Sequence, residues 1–263
     1  MNTLKKATTC RACRNPNAAF LMSGEIFNNS IAYYECSNCL YVQTEEPHWL
    51  TKAYSNAINS SDTGILRRNK SNSGIVAATL SLLGGMKNKV VDCAGGYGIL
   101  VRLLRDSGID ASWSDPYCEN LLAKGFEYQN GTAALVTTFE AFEHFVDPLD
   151  ELEKLLKIAP NVLLSTEIIS SPPPQQKDWW YYGREHGQHI GFFRVHTLEV
   201  MANKFGKKVV SDGKSYHLIT DRNISKVRWI TIILLAKILP IVFTWKLKSK
   251  TWDDHYKIAG NDQ

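Results

Sequence analysis

Three groups of side chains in this sequence have the types and spacings that chemistry needs. The first is four cysteines, Cys10-x-x-Cys13 and Cys36-x-x-Cys39. A two-residue gap lets both thiolates of a turn reach one ion, and two such knuckles complete a tetrahedral site. Four sulfur ligands leave no open position, so the expected ion is a structural Zn2+. The second group is Asp92, then Ala94-Gly95-Gly96-Tyr97-Gly98, with Asp115-Pro116 about twenty residues further on. Such glycines let a ligand touch backbone, and the helix start beyond them offers free N–H groups and a positive dipole end. A nucleotide-like cofactor suits that combination. The third group is the loop Trp179–Phe193, where Glu185, His186 and His189 sit among aromatic residues and glycines. A histidine can act as a general base near neutral pH, and Trp or Tyr faces stack well on sugar rings. His186 and His189 alone do not close a metal site.

The acid before the glycines narrows the choice of cofactor. A dinucleotide site starts its first glycine directly after an apolar strand end, whereas here Asp92 occupies that place. An acid there answers a positive charge, and S-adenosylmethionine carries both an ammonium and a sulfonium where NAD carries neither. With Asp115 at the right distance for ribose hydroxyls, the chain resembles the class I S-adenosylmethionine-dependent methyltransferases. Their glycine motif commonly reads as an acid followed by x-G-x-G-x-G. Ala94 stands where the family has its first glycine, and Gly95 is expected to supply the permissive backbone instead. The resemblance implies that Asp92 and the Gly95-Gly96-Tyr97-Gly98 turn hold the methionine end of the cofactor. Asp115, with Pro116, takes the ribose.

The elements that must position these groups alternate. Val90-Val91 reads as a strand, Ile99–Leu104 as an amphipathic helix, and Ile109–Ser114 as the next strand. A helix over Cys118–Lys124 and a short strand at Phe126–Tyr128 follow. Then come a fuller strand at Ala134–Phe139, a helix over Leu149–Lys157 started by Asp147-Pro148, and a strand at Asn161–Glu167. This is the pattern of a doubly wound α/β fold, and ligands bind at the carboxyl ends of such strands. One crevice is therefore expected to collect Asp92, Asp115, Phe139-Glu140 and Glu167. A helix over Thr197–Phe205 and two strands, Lys207–Val210 and Tyr216–Thr220, joined at Ser211-Asp212-Gly213, end the domain in an antiparallel hairpin. The expected sheet is Rossmann-like, mostly parallel and seven-stranded.

The remaining segments frame that core. Residues 1–46 read as a zinc ribbon with a strand at Ile31–Glu35, and 47–84 as a helical lid or linker ending at Gly84-Gly85. Residues 85–222 form the cofactor-binding domain, and 223–263 an apolar and basic appendage. Tyr54, Arg67 and Asn69 in the linker are candidates for cofactor or substrate contacts, or else part of a solvated helix face. Cys93 and Cys118 read as small core residues. Glu143-His144 resembles the E-H pair after the fourth strand of many small-molecule methyltransferases, where the histidine is more often structural than a base. Gln188–Phe193 resembles the H-E-H-x-x-[YF]-[YF] stretch of the sugar C-methyltransferases, which also carry an N-terminal cysteine zinc module. Gly187 and Gln188 replace that stretch's first histidine and glutamate. The resemblance implies a sugar-type small-molecule acceptor, with His189 or His186 as base.

At 263 residues, 44% hydrophobic and 21% charged, with net charge +4, the chain has enough apolar content for a real core. That mild charge, without an Arg/Lys-rich ribbon, argues against the alternative of RNA base methylation. A cofactor-binding scaffold without catalysis is the third reading. Met1–Lys6 lacks the apolar stretch of a secretory leader, so a cytoplasmic location is expected. Trp229–Trp245 is apolar and flanked by Lys226, Arg228, Lys246, Lys248 and Lys250. Residues 226–250 therefore read as a helix at the inner, anionic face of a membrane, or as a helix packed on the core or in a homodimer interface.

Overall fold

The computed structural model describes residues 7–54, 62–238, 244–245 and 247–261. The readings of Met1–Lys6, Ser55–Ile58, Leu239–Phe243 and Lys246 lie outside the described residues. Two sheets form. One has four strands in the order β1 (Ala18–Ile26), β2 (Asn29–Cys36), β3 (Val42–Thr44) and β8 (Gly191–Phe192). The other has six, in the order β5 (Ala111–Ser114), β4 (Val90–Cys93), β6 (Leu135–Phe139), β7 (Val162–Ser165), β10 (Tyr216–Thr220) and β9 (Lys208–Ser211). The chain divides into two compact units. The first is Met1–Asn59, Glu140–Lys154 and Leu164–Arg222; the second is Ser60–Phe139, Leu155–Leu163 and Asn223–Gln263.

The second unit is built around β4. It runs parallel to β5, with Cys93 opposite Ser114, and parallel to β6, with Asp92 opposite Thr137. A strand flanked on both sides is apolar on both faces, and Val90 and Val91 are accordingly buried. Helix α3 (Ile99–Asp106) turns Leu100, Val101 and Leu104 inward, and α2 (Ile65–Leu82) buries Ile75 to Leu80. Helix α6 (Lys226–Ile238) packs on α2. Its buried residues Trp229, Ile233 and Ala236 recur at helical spacing, while Val227, Leu234 and Leu235 stay exposed. Helix α6 is thus packed into this unit. Among the described residues no helix is long and apolar enough to cross a membrane.

The seventh strand is the main departure from expectation. Among the described residues the sheet has six, and Phe126–Tyr128 contributes only a single parallel bridge between Glu127 and Trp113. The helix expected over Cys118–Lys124 is likewise absent. Short polar side chains take the backbone donors that a helix would use, a competition well suited to Asp and Asn. Asp115 Oδ1 accepts from the N–H groups of Tyr117 (2.8 Å) and Cys118 (3.0 Å), and Asn120 Oδ1 accepts from Ala123 N–H (2.9 Å).

In the first unit, β1 and β2 form a hairpin whose central residues Phe27 and Asn28 both have positive φ, at 50° and 65°. That is the two-residue turn whose twist matches paired strands. The end of the aromatic loop joins this sheet as β8, with Val42 opposite Phe192. The loop aromatics are therefore mostly core. Tyr181, Tyr182 and Phe192 pack with Ile26, Tyr33 and Trp49, and only Trp180 is largely exposed, at 76%. The unit is completed by α1 (Leu50–Ala53), by α5 (Val195–Asn203) and by the β9–β10 hairpin, whose turn is capped by Asp212 Oδ1 accepting three backbone N–H groups. Helix α4 (Pro148–Ile158) starts behind Asp147, as its Asp-Pro sequence predicts.

Candidate functional site

In the second unit, the turn after β4 carries the predicted cofactor residues. Ala94, Gly96 and Gly98 take positive φ (57°, 53° and 83°). Gly98 is the N-cap of α3. The left-handed residue is Ala94 itself, not Gly95 as expected. Gly95 is required for a different reason: a Cβ there would lie 2.8 Å from Trp113 Cδ1 and 3.0 Å from Asp92 Oδ2. An L-residue with a Cβ pays about 1 kcal/mol in this backbone region. Ala94→Gly is therefore expected to stabilise the protein by about 0.5–1 kcal/mol, read as a rise in urea midpoint.

Asp92 is buried, and its Oδ1 accepts a 2.6 Å hydrogen bond from Thr137 Oγ1. Its other oxygen has no hydrogen-bond partner among the described residues. Burial pushes its carboxyl up to about 7 against the lowering effect of Thr137, and Asp115 adds to the rise. Asp115 is occupied by backbone: Oδ2 accepts from Gly96 N–H at 2.9 Å, and Oδ1 caps the Tyr117–Cys118 turn. It still has lone pairs to share, since a carboxylate offers about four acceptor sites. Trp113 Nε1 donates to the Gly96 carbonyl at 2.8 Å, closing the turn against β5. Tyr97 is half-buried and accepts at its carbonyl from the N–H groups of Leu121 and Leu122; Pro116 is exposed and Phe139 half-buried. Arg67 is exposed on α2, and Asn69 bonds back to the Ile65 carbonyl.

The first unit holds the other two groups. The sulfurs of Cys10 and Cys39, and of Cys13 and Cys36, lie 3.6 Å apart, and all four fall within 4.8 Å of one another. Four thiolates at about 2.3 Å from one zinc sit about 3.8 Å apart, so the cluster is consistent with a zinc site. Both knuckles have the same backbone: Arg14 and Leu40 have φ of 66° and 61°, and their N–H groups return to the carbonyls of Cys10 and Cys36 at 2.9 Å. The hydrogen bond with Cys39 draws the Cys10 thiol down to about 6 and pushes Cys39 up.

Glu143, His144 and His189 converge in the same unit. Tyr181 Oη donates to Glu143 Oε1 (2.6 Å), His189 Nδ1 lies 2.6 Å from the Tyr181 carbonyl, and His144 Nδ1 lies 2.7 Å from Tyr54 Oη. The ring of His189 sits 4.9 Å from those of both His144 and His186. His186 instead folds back on its own loop, its Nδ1 accepting from Gln188 N–H at 3.1 Å. Burial lowers His189 and His186 to about 4 and His144 well below its ordinary value, and the neighbouring rings lower His144 and His186 further. Glu185 points outward, exposed, and pairs with Arg184 at 3.0 Å. Glu140, with φ 52°, accepts from Ser165 Oγ at 2.6 Å. The carboxylate facing the histidines is thus Glu143, whose only sequence signal is the Glu143-His144 pair. Tyr181 carries no local signal for its bridging role.

Over residues 66–212, more than half of its length, the sequence matches the family model described as a methyltransferase domain. The chain belongs to that family. It carries a class I S-adenosylmethionine-dependent methyltransferase domain. No curated protein matches it. Solved structures to which the chain is similar include TnmH, at 16% identity over 66% of this chain and 61% of that one, TM-score 0.45. An O-methyltransferase family protein from Burkholderia thailandensis matches at 11% over 67% and 64%, TM-score 0.49. The magnesium protoporphyrin IX methyltransferase of Synechocystis PCC 6803 with bound SAH matches at 14% over 65% and 90%, TM-score 0.44. The chain spans about three fifths of the length of TnmH. The donor set suits the family's cofactor: the Asp92 oxygen that has no hydrogen-bond partner among the described residues is an acceptor for an ammonium, beside a helix N-terminus.

Proposed function

We propose that this methyltransferase moves the methyl group of S-adenosylmethionine to a small-molecule acceptor of sugar type, and that its four cysteines hold a structural zinc ion. The observation that carries the donor assignment is the oxygen of buried Asp92 that has no partner among the described residues, at the tip of β4 beside the Gly95–Gly98 turn. Asp92 receives the cofactor ammonium there, and Asp115 at the tip of the neighbouring parallel strand takes the ribose hydroxyls. When bound, the cofactor supplies an electrophilic methyl, and the chain contributes alignment, which can be worth about 7–11 kcal/mol. His189 is the better base of the two candidates. Its Nδ1 faces a carbonyl and so carries the proton, leaving the Nε2 lone pair to accept one. Support for a sugar ring comes from the exposed face of Trp180 and from the likeness of Gln188–Phe193 to the sugar C-methyltransferase stretch.

The test is calorimetric binding of S-adenosylmethionine against pH. With Asp92 titrating at about 7, only its ionised form attracts the ammonium. Affinity should fall about tenfold from pH 8 to pH 6, following the ionised fraction. Asp92→Asn should bind more weakly at pH 8 and lose the slope. No binding of the cofactor at either pH, with tight binding of a nicotinamide dinucleotide, would overturn the assignment. Methyl-labelled cofactor with sugar nucleotides then reads the acceptor class.

A further inference from the structure

We propose that Glu143, His144 and His189 form a second metal site, separate from the four cysteines, for a divalent first-row transition ion. Spacing along the chain gave no reason for one, because His186 and His189 alone are two ligands. Folding removes His186 and replaces it with two better donors. One donor atom each from Glu143, His144 and His189 lies within 4.8 Å of the others. Ligands held at about 2.1 Å from one ion sit about 3–4 Å apart, so small side-chain rotations close the site.

Three features point to an ion rather than to a polar cluster complete in itself. Glu143 is fully buried, yet its Oε2 has no hydrogen-bond partner among the described residues. A buried carboxylate oxygen left unpaired is costly, and a cation is the usual remedy. Second, the outer nitrogens are already engaged as metal-binding histidines require. His189 Nδ1 faces the Tyr181 carbonyl and His144 Nδ1 faces Tyr54 Oη, which leaves both Nε2 atoms as donors. Third, Tyr181 ties the ligands together, with its hydroxyl on Glu143 and its carbonyl on His189. Two imidazoles and one carboxylate select a transition ion over Mg2+ or Ca2+ and leave coordination positions open. An oxygen of water or acceptor bound there is acidified toward neutrality. With the ion present, His189 Nε2 serves as ligand in place of base, and the acidified oxygen gives its proton to bulk water. This role in catalysis rests on the methyl-transfer reading; the metal site itself does not.

Cobalt separates the two sites, because only the thiolate site gives sulfur-to-metal charge-transfer absorption. The full chain, with its cysteine metal retained, is dialysed against a weak chelator and titrated with Co2+. One further cobalt per chain is expected, with ligand-field bands and no thiolate charge transfer. Glu143→Gln and His189→Ala should each weaken it at least tenfold, and His186→Ala should leave it within about twofold. Zinc content at the cysteines, in the same unit, reports whether each variant is folded. If Glu143→Gln has lost its zinc, His189→Ala is the deciding variant. The proposal is overturned if wild type binds no cobalt beyond the cysteine site, or if folded Glu143→Gln and His189→Ala bind it as tightly as wild type. Because neither outcome involves the methyl donor, failure here leaves the cofactor assignment standing, and the converse also holds.

Discussion

Asp254→Ala is expected to cost about 3–5 kcal/mol of stability at pH 7, the usual cost of removing one partner of a buried ion pair. Asp254 lies on α7 (Thr251–Asn261) and meets Arg105 of α3 twice, at 2.8 and 2.7 Å, and Arg102 once, at 2.8 Å. The side chains of Arg105 and Asp254 are only 8% and 5% exposed. Alanine would leave Arg105 buried with one carboxylate, that of Asp110, in place of two. Burial alone would raise the Asp254 carboxyl, but hydrogen bonds from Arg105 and Arg102 outweigh it and hold the group below its ordinary range. The sign for linkage follows. A depressed carboxyl contributes stability above its unfolded value of 3.8, lost as pH falls through the lower folded value. Urea unfolding of wild type and Asp254→Ala should therefore differ widely at pH 7 and converge below about pH 4. Replacing Arg105 and Asp254 together by apolar residues of similar volume should recover much of the loss. A loss under 1 kcal/mol for Asp254→Ala would mean that the tail contributes little to its unit.

That pair also marks where the sequence stops being legible. Its partners stand 149 residues apart, and nothing local to Asp254 distinguishes it from a solvated acid. The tail's apolar stretch was readable as a helix, but whether its buried face met membrane, partner or core was not. Local features did better. Cys-x-x-Cys twice specified four converging sulfurs, because a knuckle is a property of four consecutive residues. Asp92 and its glycines stood out because strand, turn and helix follow within a dozen positions. Even there, Ala94 and not Gly95 takes a left-handed backbone, while Trp113 and Asp92 leave no room for a side chain at Gly95. The aromatic loop misled in an instructive way. Tyr181, Tyr182 and Phe192 suggested a ligand-lining surface, whereas pairing of β8 with β3 turns them into the core of a small sheet. The sequence paired Glu143 with His144 but not with His189, because the group that aligns Glu143 with His189 is Tyr181, and the two are joined only in the folded unit.

Cys36→Ser should be the most damaging single change in the chain. Structural zinc binding is worth about 10–16 kcal/mol in small peptides, and much of it is folding energy. The cysteine knuckles are also tied to the segment that carries His189. Thr197 Oγ1 donates to the Cys39 carbonyl at 2.8 Å, Arg194 Nη1 to the Leu40 carbonyl at 2.6 Å, and Arg11 Nη2 to the Ile190 carbonyl at 2.7 Å. Loss of one thiolate from the proposed zinc site should therefore release the ion, lower Tm by more than about 10 °C, and loosen β1, β2, β3 and β8 together. Cys118→Ser, outside the cluster, should change stability by less than about 1 kcal/mol. Zinc content by mass spectrometry, read beside thermal unfolding, checks both. The coupling is expected to run one way. Ile190 N–H donates to the Glu143 carbonyl at 2.8 Å, so unfastening the knuckles should disturb the ligands proposed for the second metal, whereas Glu143→Gln leaves every sulfur in place. Chelating the zinc should thus abolish cobalt binding at the histidines, while stripping cobalt from the histidines should leave the zinc where it is.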